Sequence, residues 1–151
     1  MKLKVEINSR EHFVVHGYVR APFAVASRWY AGTTEIPTYN LNELLGTKLR
    51  ALYQRRKSRD LFDLAVALDH PEADPAAIVS AFAAYMDHGG RAVTRAMFEK
   101  NLALKLGNRQ FTADIAPLLA AGRDWDMDAA AAKVGASLIA LLPGPAWNGE
   151  S

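Results

Sequence analysis

Four charged residues in the first half of the chain have side chains and spacing suited to anion binding. Lys48 stands among leucines, and Arg59, Asp60 and Asp63 follow shortly after it. A lysine among apolar residues can bind an anionic ligand with its amine. These four residues form the one constellation in the sequence that points to chemistry.

Lys48 lies in a predicted helix from about Asn42 to Arg56. Apolar residues recur on one face of this helix at helical spacing, namely Leu41, Leu44, Leu45, Leu49 and Leu52. At about 100° per residue, Lys48 falls within this stripe. A lysine in that position costs free energy unless it meets a carboxylate, a phosphate or water. Two interpretations stay open: a lysine at the core rim whose amine reaches solvent, and a partly buried cation directed at an anionic ligand.

The other three residues lie in a second predicted helix, from about Arg59 to Leu68, with Ser58 as its expected N-cap. Asp60 suits the positive end of the helix dipole, which is a purely structural explanation for it. Asp63 lies away from the apolar face, where solvent or a surface ion pair with Arg59 would account for it. The combination of lysine, Arg-Asp pair and further aspartate is more specific than any of its parts.

The segment that holds these residues, GTKLRALYQRRKSRDLFDL, closely resembles the third and fourth motifs of the AbiEii/AbiGii-type nucleotidyltransferase toxins. These proteins are the toxin halves of bacterial type IV toxin–antitoxin and phage-abortive-infection systems. KVEINSREHF and SRWYAGTTEIPTYNLNELLGTK resemble the segments that precede the lysine motif in that family. The resemblance covers most of residues 2–142 and is strongest over residues 37–68.

The resemblance implies transfer of a nucleotide from an NTP to an acceptor such as a tRNA end. In this family Mg²⁺ ions clamp the attacking and leaving oxygens during in-line displacement at phosphorus. Matched motif by motif, Lys48 would neutralise charge on the phosphates, and Asp60 would orient that lysine or assist proton transfer. Arg59 and Asp63 would complete the fourth motif, Asp63 through a structural pair.

A further candidate stands near the start of the chain, where Leu3, Val5 and Ile7 alternate with polar residues as in a half-buried strand. Glu6 lies between Val5 and Ile7. The resemblance implies that such a strand carboxylate is the third metal ligand, whereas the pattern alone favours an exposed strand glutamate. Glu6 is therefore a candidate for the metal site on the resemblance only.

The chain departs from the family pattern in one respect. It has no Gly-Ser loop followed by Asp-x-Asp, the motifs that hold the triphosphate and two metal ions, and its own Asp-x-Asp stands at Asp124 to Asp128 beside a predicted helix start. We therefore expect a C-terminal portion of a toxin, with an incomplete metal site and weak or no catalysis alone. We also expect an exposed N-terminal strand that permits self-association.

Three functional interpretations follow from these observations. The first is a nucleotidyltransferase domain, truncated or completed by another chain, with a cognate antitoxin and tRNA as partners. The second is a non-catalytic helical module that binds RNA, an antitoxin or a full-length relative. The third is a decayed gene product. Nucleotide binding that depends on both a metal ion and Lys48 would separate the first from the second.

The bulk properties limit the remaining options. The chain has 151 residues, of which 50% are hydrophobic and 23% are charged, as expected for one globular domain. A net charge of +2 and a pI near 9.0 permit a nucleic-acid partner without requiring one. The absence of cysteine excludes disulfides and thiolate chemistry. With no signal peptide and no bilayer-spanning apolar run, we expect a cytoplasmic bacterial protein.

The predicted fold class is α+β, with a small N-terminal antiparallel strand and hairpin region followed by a C-terminal helical bundle. Residues 1–40 form the β-rich part of a nucleotidyltransferase-like sheet, residues 41–142 the helical part and residues 143–151 a frayed tail, all in one domain. Strands are expected at residues 13–18, 23–30 and 34–39, with a turn at 31–33. Pro37 indicates that the second strand of this hairpin is an edge strand or ends early. Later helices are expected at residues 75–88, 94–106, 111–119 and from Asp126 or Asp128 to Leu141.

Overall fold

A computed structural model describes residues 13–119 and 124–149. Within these ranges a two-stranded hairpin precedes six α-helices, which confirms the predicted α+β class. The strands are β1 (Tyr18–Ala26) and β2 (Ala31–Tyr39), and the helices are α1 (Leu41–Gln54), α2 (Ser58–Ala67), α3 (Pro75–His88), α4 (Arg95–Leu106), α5 (Arg109–Ala113) and α6 (Met127–Ser137). Short 3₁₀ turns lie at Ala116–Leu118 and Ile139–Leu141.

The hairpin has two unlike faces, because successive side chains of a strand point to opposite sides. One face carries an ion pair between Arg20 and Glu35, whose nitrogen and oxygen lie 3.9 Å apart. The opposite face is free of charge and is formed by Val19, Ala21, Phe23, Val25, Gly32, Thr34, Ile36 and Thr38. Among the described residues, β1 and β2 pair only with each other and most of their side chains are exposed. Among the described residues, Pro37 thus lies on an edge strand.

Two local predictions for this region are wrong. The turn falls at residues 27–30 and not at 31–33, because the Ser27 hydroxyl oxygen accepts hydrogen bonds from the backbone amides of Trp29 and Tyr30 and closes the turn earlier. Of the strand expected at residues 13–18, only Tyr18 lies in a strand, as the first residue of β1. The backbone amides of Val15 and His16 donate hydrogen bonds to the buried Glu43.

Helix α1 is the centre of the helical body and packs closely on α3. A methyl group built on Gly46 would lie 2.6 Å from Ala81 Cβ and 2.9 Å from the carbonyl oxygen of Ile78, so the two backbones approach where α1 lacks a side chain. The largest fully buried apolar side chains come from nearly every helix: Leu49, Leu52, Leu61, Leu64, Ile78, Phe82, Met86, Phe98, Phe111, Leu138 and Ile139.

Polar side chains cap most of the helices. At five helix starts, a backbone amide of the first turn donates a hydrogen bond to the side-chain oxygen of the N-cap residue. These N-cap residues are Asn40, Asp74, Thr94, Asn108 and Asp126. The predicted cap at Ser58 is wrong. Ser58 is the first residue inside α2 and is fully buried, and its hydroxyl has no hydrogen-bond partner among the described residues. The N-cap residue of α2 is instead Lys57, whose side chain makes no capping hydrogen bond.

Lysines from distant helices satisfy carbonyls near the ends of α1 and α2, which have no basic residue in their own last turns. Lys105 of α4 donates to the carbonyl oxygens of Leu52 and Tyr53, the latter at 2.7 Å. Lys133 of α6 donates to the carbonyl oxygen of Ala65 at 2.7 Å. These contacts complement the negative end of each helix dipole and join the late helices to the early ones.

The segment after α6 contacts α4 at two points. The carbonyl oxygen of Pro143 accepts a hydrogen bond from the Arg95 amide at 2.9 Å, and the Trp147 amide donates to Glu99 Oε2 at 2.7 Å. None of the helices in residues 13–119 and 124–149 combines the length and apolar character needed to cross a membrane.

Candidate functional site

Lys48, Asp60 and Asp63 meet between α1 and α2. Lys48 Nζ lies 2.6 Å from Asp63 Oδ2 and 3.6 Å from Asp60 Oδ1. The two carboxylates reach the same cation because residues three apart share one side of a helix. The Lys48 side chain is 38% exposed, so its amine lies at the boundary between core and solvent. The amine is therefore held by two carboxylates and is not simply extended into water.

Asp60 is the buried member of this group, with no exposed surface. Its Oδ1 lies 3.3 Å from Arg55 Nη2, while its Oδ2 is buried and accepts no hydrogen bond from the described residues. Burial raises the pKa of Asp60, and the charges of Arg55, Lys48 and Arg59 oppose that rise without cancelling it. The protonated form of Asp60 is thus favoured more than that of an exposed aspartate.

Asp63 pairs with Lys48 and not with Arg59. Its side chain is 41% exposed, which leaves it able to exchange partners. Arg59 is exposed on α2 and acts on Asp60 through its charge. The structure therefore brings together three of the four predicted residues and leaves Arg59 at the rim.

Arg55 is a site residue that the sequence did not reveal. It belongs to the basic run Arg55-Arg56-Lys57, and its guanidinium contacts the buried Asp60. The available signal was its position at the C-terminal end of α1, directly before the helix that carries Asp60. Charge alone could not distinguish it from the neighbouring Arg56, which is exposed.

A groove opens beside the charged group that Lys48, Asp60 and Asp63 form. It has a volume of about 320 Å³ and is lined mainly by apolar side chains, with Lys48 and Asp63 at its edge. The apolar lining comes from Leu41, Leu44, Leu45, Phe62, Val66 and Ala67. Apolar walls next to a few polar groups are typical of small-molecule sites. The groove can therefore take a flat apolar group whose charged end lies at Lys48.

Glu43 is a second residue whose importance was not predicted. It is fully buried, and its carboxylate accepts hydrogen bonds from the Tyr85 hydroxyl at 2.6 Å and from the amides of Val15 and His16 at 3.0 and 2.7 Å. Burial would raise the pKa of Glu43, but these hydrogen bonds outweigh it and lower the pKa below its usual value. Glu43 thereby fixes the segment that enters the hairpin against α1 and α3.

The described carboxylates do not fit a magnesium site. Within residues 13–119 and 124–149 no three His, Asp or Glu side chains lie close enough together to hold a metal ion. Asp60 and Asp63 are both turned toward Lys48, and Asp60 also toward Arg55. Glu6, the predicted metal ligand, lies outside the described residues.

Comparison with known proteins identifies the family. A family model described as "Nucleotidyl transferase AbiEii toxin, Type IV TA system" matches residues 1–133. No curated protein and no solved structure matches the chain. The matched span includes the whole charged group between α1 and α2. The chain belongs to the AbiEii nucleotidyltransferase toxin family of type IV toxin–antitoxin systems.

Proposed function

We propose that the group formed by Lys48, Asp60 and Asp63 binds the triphosphate of a magnesium–NTP complex and takes part in nucleotidyl transfer to RNA, with tRNA as the acceptor to test first. The observation that supports this is the Lys48 amine, held between a buried and a half-exposed carboxylate inside the family match. Family membership implies a type IV toxin–antitoxin role with an antitoxin as partner.

The two carboxylates would have different tasks. Asp63 is half-exposed, so an incoming phosphate can replace it at the Lys48 amine at small cost. Asp60 is buried and keeps the amine directed at the same place while the partner changes. Lys48 would then stabilise negative charge that develops on the phosphates. Because burial raises its pKa, Asp60 is also suited to accept a proton during transfer.

The groove beside Lys48 gives the nucleoside a place in this scheme. Leu44, Phe62 and Val66 line it, and Leu44 and Val66 are 39% and 42% exposed. A nucleobase that covers these side chains would remove apolar surface from water, while its phosphates lie at the charged edge. The binding of nucleosides without phosphates should then be weak but measurable.

Calorimetric titration with magnesium–ATP, –CTP, –GTP and –UTP tests the proposal. We expect Lys48→Ala to weaken binding by about tenfold or more, because a charged hydrogen bond contributes about 1.5–3 kcal/mol. Lys133→Ala is the matched control, since Lys133 is 35% exposed and pairs with Asp69 at 2.7 Å, much as Lys48 pairs with Asp63. Equal affinities of wild type and Lys48→Ala would contradict the proposal.

The alternative proposal is a non-catalytic helical module that binds RNA, an antitoxin or a full-length relative. The observation that favours it is the engagement of both described carboxylates by Lys48 and Arg55 rather than by an arrangement suited to a metal ion. Transfer of radiolabelled NTP to tRNA distinguishes the two. Labelling of tRNA that is lost when EDTA is added, and also in Asp60→Ala, supports the enzyme. RNA binding that is unchanged in Lys48→Ala, with no labelling of tRNA, supports the non-catalytic module.

A further inference from the structure

Basic residues are concentrated on α1 and on the turn that follows it. Residues 44–59 contain no Asp or Glu, and they hold six of the chain's 18 lysines and arginines, namely Lys48, Arg50, Arg55, Arg56, Lys57 and Arg59. The other 12 basic residues are outnumbered by 16 acidic ones, so the rest of the chain is net negative. Charge that is separated in this way produces a local positive potential, although the net charge of the chain is only +2.

A polar cleft lies on this part of α1. It has a volume of about 340 Å³, and it is lined by Thr47, Arg50, Ala51, Gln54 and Arg55. These residues share one side of the helix, because they follow one another at intervals of three or four. At a rise of 1.5 Å per residue, the cleft extends about 12 Å along α1. We call it the arginine cleft, and it is long enough for more than one backbone phosphate of a nucleic acid.

The two arginines of the cleft are held by other side chains and are still partly exposed. The guanidinium carbon of Arg50 lies 4.9 Å from the centre of the Tyr85 ring. Arg55 contacts the buried Asp60 through Nη2 at 3.3 Å, and the Arg55 side chain is 52% exposed. A guanidinium has five N–H donors in a planar fork, so each arginine can bind an oxyanion while it keeps its present contact.

The arginine cleft adjoins the proposed nucleotide site. Thr47 lines both the cleft and the apolar groove beside Lys48. Asp60 Oδ1 lies 3.6 Å from Lys48 Nζ and 3.3 Å from Arg55 Nη2, so one buried carboxylate holds a cation of each site. Two separate ligands can therefore approach the Lys48 amine, one from the apolar groove and one from the cleft.

The lining of the cleft favours a nucleic-acid backbone over a protein as its partner. Interfaces with nucleic acids are more polar and more positively charged than interfaces between proteins, whose buried centre is apolar. Of the described residues that line the cleft, Ala51 alone is apolar. Arg56 and Arg59 follow in the chain and are both exposed, so the basic surface continues beyond the cleft. Such a surface is longer than a single triphosphate requires.

We propose that the arginine cleft binds the backbone phosphates of the strand that accepts the nucleotide, and that it directs the end of this strand toward Lys48. That the strand is an acceptor, and that it is RNA, rests on the proposed function. The binding of a phosphodiester strand to the cleft does not, and it is measured without any nucleotide.

Fluorescence anisotropy with a labelled short single-stranded RNA tests the proposal. We expect Arg50→Gln to weaken binding several-fold and to lower the slope of log affinity against log salt by about 1, because one phosphate contact is lost. Arg50→Lys should keep the wild-type slope, since it keeps the charge. Arg20→Gln is the control, because it removes the same charge from a hairpin side chain that is 72% exposed. A wild type that binds no RNA at low salt would overturn the proposal.

A second pair of variants keeps the proposal testable if Arg50→Gln does not fold. Gln54→Glu places a negative charge in the cleft at almost constant side-chain size. Gln110→Glu is the matched control, because Gln110 is an exposed glutamine on α5, outside the cleft lining. We expect Gln54→Glu to weaken RNA binding several-fold and Gln110→Glu to leave it nearly unchanged. Equal affinities of the wild type and Gln54→Glu for RNA would overturn the proposal.

Competition against the labelled RNA identifies the chemical class of the ligand. Unlabelled DNA of the same sequence should compete nearly as well as unlabelled RNA, because the cleft contacts phosphates and not bases. Inorganic triphosphate and an acidic polypeptide, poly-glutamate of matched charge, should compete much less. Poly-glutamate that competes as well as RNA would indicate an acidic protein partner. Triphosphate that does so would indicate part of the nucleotide site, and either result would overturn the proposal.

The results for the cleft and for the nucleotide site are distinguishable. RNA binding that depends on Arg50 and Gln54 supports the cleft, even if Lys48→Ala leaves the affinity for magnesium–NTP unchanged and the proposed function fails. Nucleotide binding that depends on Lys48, together with RNA binding that is the same in the wild type, Arg50→Gln and Gln54→Glu, would overturn the cleft proposal and leave the proposed function in place.

Discussion

At the scale of single residues, Asp60 is a residue of the proposed site whose burial lowers the stability of the fold. Its carboxylate is fully buried, and one of its oxygens accepts no hydrogen bond from the described residues. The raised pKa means that the folded chain favours the protonated form more than the unfolded chain does. The charge that the proposed chemistry needs is therefore kept at a cost in folding free energy.

We predict that Asp60→Asn stabilises the fold at pH 7, by about 1 kcal/mol, because it removes a buried charge. The direction of this effect follows from the raised pKa of Asp60. The stabilisation that protonated Asp60 gives is complete below pH 3.8, the ordinary pKa of aspartate, and is lost as pH rises through the folded-state pKa. The advantage of the variant should therefore shrink as pH falls toward 4. Urea unfolding at several pH values measures it, with the half-exposed Asp63→Asn as control. A variant that is less stable than wild type at pH 7 would contradict this prediction.

Glu43 should behave in the opposite way. Its lowered pKa means that its contribution to stability is present above pH 4.5, the ordinary pKa of glutamate, and is lost as pH falls through the folded-state pKa. We predict that Glu43→Gln costs about 2 kcal/mol at pH 7, since a charged acceptor of several buried hydrogen bonds is lost. Glu35→Gln, in an exposed ion pair, should cost almost nothing. Denaturant unfolding compares the two, and equal stabilities would contradict the assigned role of Glu43.

The sequence predicted Lys48, Asp60 and Asp63 because motif and helical periodicity are local properties. It did not predict Arg55, Lys105 or Glu43, whose partners come from other elements. Lys105 contacts carbonyls of α1, and Glu43 binds amides of Val15 and His16. No pattern within one helix contains such information. The three basic residues of the α1–α2 turn, at positions 55–57, look alike until the fold buries Asp60 beside one of them.

At the scale of elements, α1 holds the site in place through its close contact with α3. The approach occurs at Gly46, and the same helix carries Glu43 at its start and Lys48 one turn further on. Helix boundaries were predicted well where a capping side chain marks them, as at Asp74 and Asp126. They were predicted poorly where tertiary packing decides, as at Ser58, which is fully buried.

We predict that Gly46→Ala destabilises the fold by about 1–3 kcal/mol, although alanine is the better helix former. The added methyl group would lie 2.6 Å from Ala81 Cβ, so α1 or α3 must move. Gly135→Ala on α6 is the matched control, because nothing lies within 4 Å of the added methyl group there. We expect Gly135→Ala to stabilise the protein by up to about 1 kcal/mol. Thermal unfolding measures both changes, and a stabilised Gly46→Ala would show that the helices are not in close contact.

At the scale of the whole molecule, the hairpin and the helical body differ in how they are stabilised. The body has a continuous apolar core, whereas the hairpin exposes an uncharged face with Val19, Phe23 and Ile36 at 41%, 48% and 42% exposure. Two isolated strands are marginally stable without a packed face. The α+β class and the order of the elements were predictable from the sequence. The exposure of this face was not, because it depends on which other elements of the chain pack against the hairpin.

We expect this hairpin face to support weak self-association, because two copies can meet there without burying an unpaired charge. The face is small compared with stable dimer interfaces, so the association should depend on concentration. Phe23→Asp should abolish it in sedimentation equilibrium. Leu104→Asp, on α4 at a residue that is 68% exposed, should not. A wild type that remains monomeric at all concentrations would contradict this expectation, as it would the related expectation for the N-terminal strand, which lies outside the described residues.

We propose that this AbiEii-family chain binds a nucleotide at the charged group between α1 and α2. Amide chemical-shift mapping with magnesium–ATP tests this proposal, because such mapping locates the ligand without requiring turnover. We expect the largest shifts at Lys48, Asp60 and Asp63 and along the neighbouring groove, and we expect these shifts to be lost in Lys48→Ala but not in Lys133→Ala. Shifts confined to another surface, or no shifts at millimolar nucleotide, would contradict it.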